Sequence, residues 1–250
     1  MTAHRTWEWR RIALALVLLA SALPARSALL YRTFSSGGLT VHYAVVLPDR
    51  FNGFKSYPAV LGFGGGSQSM DTVNGAIERY FRGEAERRGY IVVVPAAPDG
   101  ELFFEGGDRI FPAFLQAMLN QYPIEGGKFH VAGPSNGGIS ALHIAAKYPQ
   151  YFLSVTAFPG YLPGETRDSV TALAGLCVNM FVGELDPLGW QPTMQSQAQD
   201  WRAHGVAAQF SLEKGQPHRI ATLEGEHAAR LFDLFEHAQH GCPAVSAQAP

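Results

Sequence analysis

The sequence predicts an α/β fold: a mostly parallel, doubly wound sheet with helices on both faces and no large lid. Three observations predict it. Short apolar runs rich in β-branched residues alternate with segments of helical period, and such runs suit strands buried on both faces. The 250 residues are 47% hydrophobic and 16% charged, which supports one large core and is too apolar for disorder. Glycine-rich and polar segments follow several of the runs, at the strand ends where such sheets bind ligands.

The elements follow in order. Leu39 to Val46 reads as an early strand, and Tyr57 to Phe63 as a short one that stops at glycines. Tyr90 to Val94 contains Ile-Val-Val-Val and is closed by Pro95. Lys128 to Ala132, Phe152 to Phe158, Cys177 to Val182 and Val206 to Leu212 complete the strands. Helical period falls over Ala76 to Arg88, Ile110 to Gln121, Asn136 to Lys147, Pro192 to His204 and Ile220 to His240. Strand–helix alternation calls for right-handed crossovers and a parallel sheet. No internal repeat or inter-domain linker interrupts it, so residues 28–242 read as one domain and 243–250 as a frayed tail.

Residues 1–27 read as a secretory signal peptide. Arg5, Arg10 and Arg11 precede the apolar run Ile12 to Ala20, and small residues with Pro24 follow. Cleavage is expected after Ser27, with Ala25 at the −3 position; cleavage near Ala22 and an uncleaved anchor are the alternatives. The run is short for a membrane span, so no stable membrane insertion is expected after cleavage, and the protein is expected to be secreted or periplasmic. Residues 1–27 hold four arginines and one glutamate; the remaining fifteen basic and twenty acidic side chains give a formal charge of −5. Nothing in that balance attracts nucleic acid. Cys177 and Cys242 are the only cysteines. In an oxidising compartment they can pair, tying the chain end to a central strand; two buried thiols are the other reading.

Gly133-Pro134-Ser135-Asn136-Gly137-Gly138 follows one strand and opens a helix. A serine on a sharp strand-to-helix turn projects its hydroxyl above the sheet, and glycines two residues to either side avoid backbone clash. The hydroxyl needs a base, and the base a carboxylate, each carried after a later strand. Asp186 lies in the turn after the Cys177 run, with Glu184 as the competing acid nearer the strand. His218 lies in the last loop after the Val206 run. The spacings of 51 and 32 residues leave room for one crossover each. Only about 50 residues separate the serine from the acid, which leaves no space for a large inserted lid. His42, His130, His143, His204, His227, His237 and His240 fall within strands or helices, and none pairs at metal-ligand spacing. No metal or cofactor is expected.

An oxyanion needs donors already in place. The amide of Asn136 is one candidate. The other is a glycine of Phe63-Gly64-Gly65-Gly66, with Gly65 chosen and Gly64 and Gly66 as alternatives. A phosphate-cradling loop does not fit, since no Gly-Lys-Ser/Thr follows. Tyr161 and Trp190, each following a strand end, are candidates for apolar walls around a substrate, with loop packing as the alternative for each; Phe103 and Phe104 are similarly ambiguous.

These residues together resemble the α/β-hydrolase superfamily. Gly-Pro-Ser-Asn-Gly-Gly, with Tyr122-Pro123-Ile124 before the strand, is similar to the esterases grouped with poly(3-hydroxybutyrate) depolymerases and feruloyl esterases. Two positions depart from that group: Phe63-Gly64 stands where His-Gly is usual, and Pro134 where leucine is usual. The resemblance implies an acyl-enzyme mechanism with Ser135, Asp186 and His218 as nucleophile, acid and base. It implies a small-molecule or polymer-borne ester as substrate, of feruloyl, acetyl or polyester type. A peptidase or amidase with the same residues, and a non-catalytic binding protein on the same scaffold, are the competing readings.

Overall fold

The computed structural model describes residues 28–242, so the signal-peptide and tail readings lie outside the described residues. Eight strands form one sheet: β1 (Ala28–Ser36), β2 (Leu39–Leu47), β3 (Ala59–Gly62), β4 (Ile91–Pro95), β5 (Phe129–Gly133), β6 (Phe152–Ala157), β7 (Cys177–Gly183) and β8 (Ala207–Glu213). Their spatial order is β1-β2-β4-β3-β5-β6-β7-β8. From β4 across to β8 every pairing is parallel, whereas β2 runs antiparallel to both β1 and β4. The helices are α1 (Met70–Ala76), α2 (Arg82–Arg88), α3 (Ala113–Gln121), α4 (Asn136–Lys147), α5 (Arg167–Leu173), α6 (Gln191–Ala203) and α7 (Ala229–Gln239).

The apolar runs are continuous because both faces of the sheet are covered. Ile91 and Val93 of β4 join a cluster with α3, α4, α5 and α6, while Val92 and Val94 join another with α1, α2 and α7. Side chains alternate across a strand, and all four valine or isoleucine residues are fully buried. Each such burial contributes about 1.5–3 kcal/mol.

Several boundaries differ from the sequence expectation, each for a physical reason. β1 was not expected; it pairs with β2 through Gly37-Gly38, both at positive φ (58° and 79°). That is the two-residue hairpin turn that matches strand twist. The helix expected from Ala76 starts at Met70 and runs through a π turn, Ile77–Phe81, into α2. Tyr57 makes only an isolated bridge to Ile124, so β3 is shorter than expected. α3 begins after Pro112, three residues later than expected. α5 was not foreseen; it is a seven-residue helix held by a capping box between Thr166 and Ser169. The last helix is also shorter: residues 221–228 form two 3₁₀ turns, and only Ala229–Gln239 is α-helical.

Cys177 and Cys242 are disulfide-bonded, with Cα atoms 5.1 Å apart. The bond joins the start of β7 to the segment after α7. β7 lies next to the edge strand β8 rather than at the sheet centre. Among the described residues no helix is long and apolar enough to cross a membrane.

Candidate active site

Three connections at the carboxyl ends of β5, β7 and β8 meet. Ser135 sits between β5 and α4 with φ 55° and ψ −127°, a backbone conformation that side chains rarely adopt and that costs about 1–3 kcal/mol. The backbone packs closely on both sides of the turn. A Cβ on Gly133 would lie 2.6 Å from the carbonyl of Gly137, and one on Gly137 would lie 2.7 Å from the Gly64 oxygen. Gly137 and Gly138 then enter the first turn of α4, where Gly137 N donates to Pro134 O and Gly138 N to Ser135 O.

His218 bridges the other two residues. Its Nε2 is 2.9 Å from Ser135 Oγ and its Nδ1 is 2.9 Å from Asp186 Oδ2. An ionised carboxylate only accepts, so Nδ1 donates to Asp186 and Nε2 accepts from the serine hydroxyl. The second oxygen of Asp186 accepts from Leu188 N at 2.8 Å. The Asp186 side chain is 1% exposed and that of His218 25%, so the carboxylate is sheltered and the imidazole reachable.

Glu184, the competing acid, is engaged elsewhere. It accepts from Lys214 Nζ and from Gly215 N, each at 2.9 Å. Lys214 chiefly, with the Gly215 amide, holds its carboxyl below the usual range.

The loop that carries His218 is tied to the segment after β7 ahead of the histidine. Leu185 N donates to Gln216 O, and Glu184 N to Glu213 O. Gly183, which sequence reasoning did not single out, lies directly against this loop: a Cβ there would be 2.1 Å from Pro217 O. The Glu213 carboxylate accepts from both terminal nitrogens of Arg230, from Ser211 Oγ and from Thr222 Oγ1. Arg230 chiefly holds it down to about 2. The signal for Gly183 and Glu213 was their position at the ends of β7 and β8.

Gly65 lies beside Ser135. A Cβ on it would be 3.2 Å from Pro134 O and 3.6 Å from Ser135 Cβ, whereas the Cβ directions of Gly64 and Gly66 meet Thr72. Asn136 occupies the first position of α4, where helix amides have no intrahelical acceptor. Trp190 packs edge-on against the His218 ring, and Tyr161 edge-on against Trp190, with centroids 5.1 Å apart in each pair. Phe103 is fully buried against Phe63 and Phe111 and is a packing residue. His130 is buried inside β5, stacked on Phe235, and burial alone pushes its imidazole down to about 3.

Known structures share this architecture. A feruloyl esterase module from Clostridium thermocellum, an S954A mutant complexed with sinapinate, superposes with a TM-score of 0.66 at 13% identity, over 90% of this chain and 92% of that one. A ferulic acid esterase gives 0.64 at 19% identity, over 86% and 98%. A thermostable esterase gives 0.63 at 18% identity; the match covers 74% of this chain and only 54% of that longer one. At these identities the likenesses define the fold alone, that of the α/β hydrolases. No curated protein matches the sequence. The family described as "Putative esterase" matches residues 110–245, over half of the chain. The chain belongs to that family and is a carboxylic ester hydrolase.

Proposed function

We propose that the protein is an exported serine esterase that works through an acyl-enzyme on Ser135. The observation that carries this reading is the continuous chain Ser135–His218–Asp186, with both hydrogen bonds at 2.9 Å. His218 takes the proton of Ser135 as Oγ attacks the ester carbonyl. Asp186 holds the ring and stabilises its charged form. The amides of Gly65 and Asn136 receive the developing oxyanion. His218 then gives its proton to the leaving alcohol. In the second half it takes a proton from water, which attacks the acyl-enzyme, and returns that proton to Ser135 Oγ as the acid product departs.

Trp190 and Tyr161 form the apolar wall beside the imidazole. They favour esters with an aromatic or bulky acyl group, of the feruloyl or polyester type, over small acetyl esters. The Cys177–Cys242 disulfide supports an oxidising compartment, in line with an N-terminal leader.

The test compares wild type with Ser135→Ala on p-nitrophenyl esters. Loss of at least about 10³-fold in kcat is expected; equal rates overturn the reading. A panel of feruloyl, acetyl-sugar, polyester and peptide substrates then ranks substrates, and faster peptide cleavage would favour a peptidase.

A further inference from the structure

Four non-glycine residues among those described have positive φ: Arg50, Gln68, Asp99 and Ser135. Arg50 and Asp99 are exposed residues in turns. Ser135 is the proposed nucleophile. Gln68, at φ 53°, is fully buried, and no role in the mechanism has been given to it. A strained, buried, polar residue beside an active site calls for a functional account.

Its bonds supply one. Gln68 N donates to Gly65 O at 3.1 Å and closes the glycine loop on itself. Gln68 O accepts from Ala97 N at 2.8 Å, after β4. The side-chain oxygen accepts from Phe103 N at 3.2 Å. The side-chain nitrogen donates to Ser140 Oγ at 2.8 Å and lies 3.4 Å from Asn136 O. In return, Asn136 Nδ2 donates to Gly66 O at 2.8 Å. The glycine loop thus reaches the α4 helix through Gln68, and the helix reaches back through Asn136. Gly65 and Asn136, the two amides assigned to the oxyanion, sit on the two segments that these bonds fasten together.

We propose that Gln68 is a positioning residue that sets the spacing of the Gly65 and Asn136 amides. The proposal rests on the serine esterase reading above. An apolar residue in its place leaves Phe103 N and Ser140 unpaired and frees the loop to shift. Displacements near 1 Å at a reacting centre cost up to about 10²-fold.

The test uses Gln68→Met and Ser140→Ala, each in the full protein. Ser140→Ala removes one hydroxyl and changes volume little, so it remains informative if Gln68→Met does not fold. Kinetics on a p-nitrophenyl ester are paired with the affinity for phenylboronic acid, whose adduct with Ser135 mimics the tetrahedral intermediate. Gln68→Met is expected to lower kcat about 10–100-fold with KM within about threefold, and boronate affinity by the same factor as kcat. Ser140→Ala shows the same pattern at about 3–10-fold. The pH profile keeps its shape, because His218 and Asp186 are untouched. Wild-type kcat in the folded variants, or a fall that follows the folded fraction while boronate affinity holds, overturns the proposal. If Gln68→Met does not fold, unchanged kcat and boronate affinity in Ser140→Ala overturn it. Ser135→Ala separates the two readings: if that variant stays active, the esterase mechanism fails; if it is dead while Gln68→Met behaves as wild type, only the positioning role fails.

Discussion

Gly183→Ala probes how tightly His218, the proposed base, is held. The new Cβ would stand 2.1 Å from Pro217 O and 2.3 Å from Gln216 O. Both are backbone atoms, so no flexible side chain can yield. The loop must retreat 0.9 Å for the 2.1 Å contact to reach 3.0 Å, the closest approach that Cβ atoms show. His218 directly follows Pro217. If it moves with the loop, the 2.9 Å bond to Ser135 Oγ opens to about 3.8 Å, beyond hydrogen-bonding distance. The expected loss in kcat/KM is about 10²-fold, or about 2.7 kcal/mol of transition-state stabilisation. Overpacking costs a further ~1–3 kcal/mol of folding stability. The assay is ester hydrolysis at 25 °C on protein shown to be folded by circular dichroism. Gly175→Ala is the control, since a Cβ there meets nothing within 4 Å. A Gly183→Ala enzyme with kcat/KM within about threefold of wild type would refute the reasoning.

Further predictions concern stability. Glu213 is held down to about 2, chiefly by Arg230. A depressed acid stabilises the fold above its unfolded value of about 4.3, and the gain is lost as pH falls through about 2. Wild type should therefore be more stable than Glu213→Gln at pH 7, by at most about 3 kcal/mol from this source, and the two should converge near pH 2. Urea unfolding across that range tests this, and a pH-independent gap contradicts it. Ser135→Gly should abolish activity yet raise Tm, because glycine relieves a backbone strain of about 1–3 kcal/mol; Ser135→Ala retains that strain and should show no such rise. Replacing Cys177 and Cys242 by serine opens a link between residues 65 apart and should cost about 2–4 kcal/mol in urea unfolding. Its bond lies at the start of β7, away from the rim, so kcat of the folded variant should stay at the wild-type level.

The turn that carries Ser135 was legible because its determinants are local: Gly133, Ser135 and Gly137 lie within five residues of one strand–helix turn. The placement of Asp186 and His218 after later strands was legible from strand ends. Both-face burial made the parallel strands readable as continuous apolar runs. Less visible were β1, whose alternation is only half-buried, and α5, which is seven residues long. Each depends on neighbours more than on its own pattern.

Chain order and local geometry determined that an alternating α/β sheet would carry a serine, a carboxylate and a histidine at its rim. Tertiary structure decided which carboxylate, because Lys214 and Gly215 occupy Glu184 while Asp186 reaches His218. It also decided which glycine lies against Ser135, and it alone revealed Gln68, whose side-chain partners are up to 72 residues away. Such choices depend on contacts between distant segments, and hydrophobic period and turn chemistry report only on near neighbours.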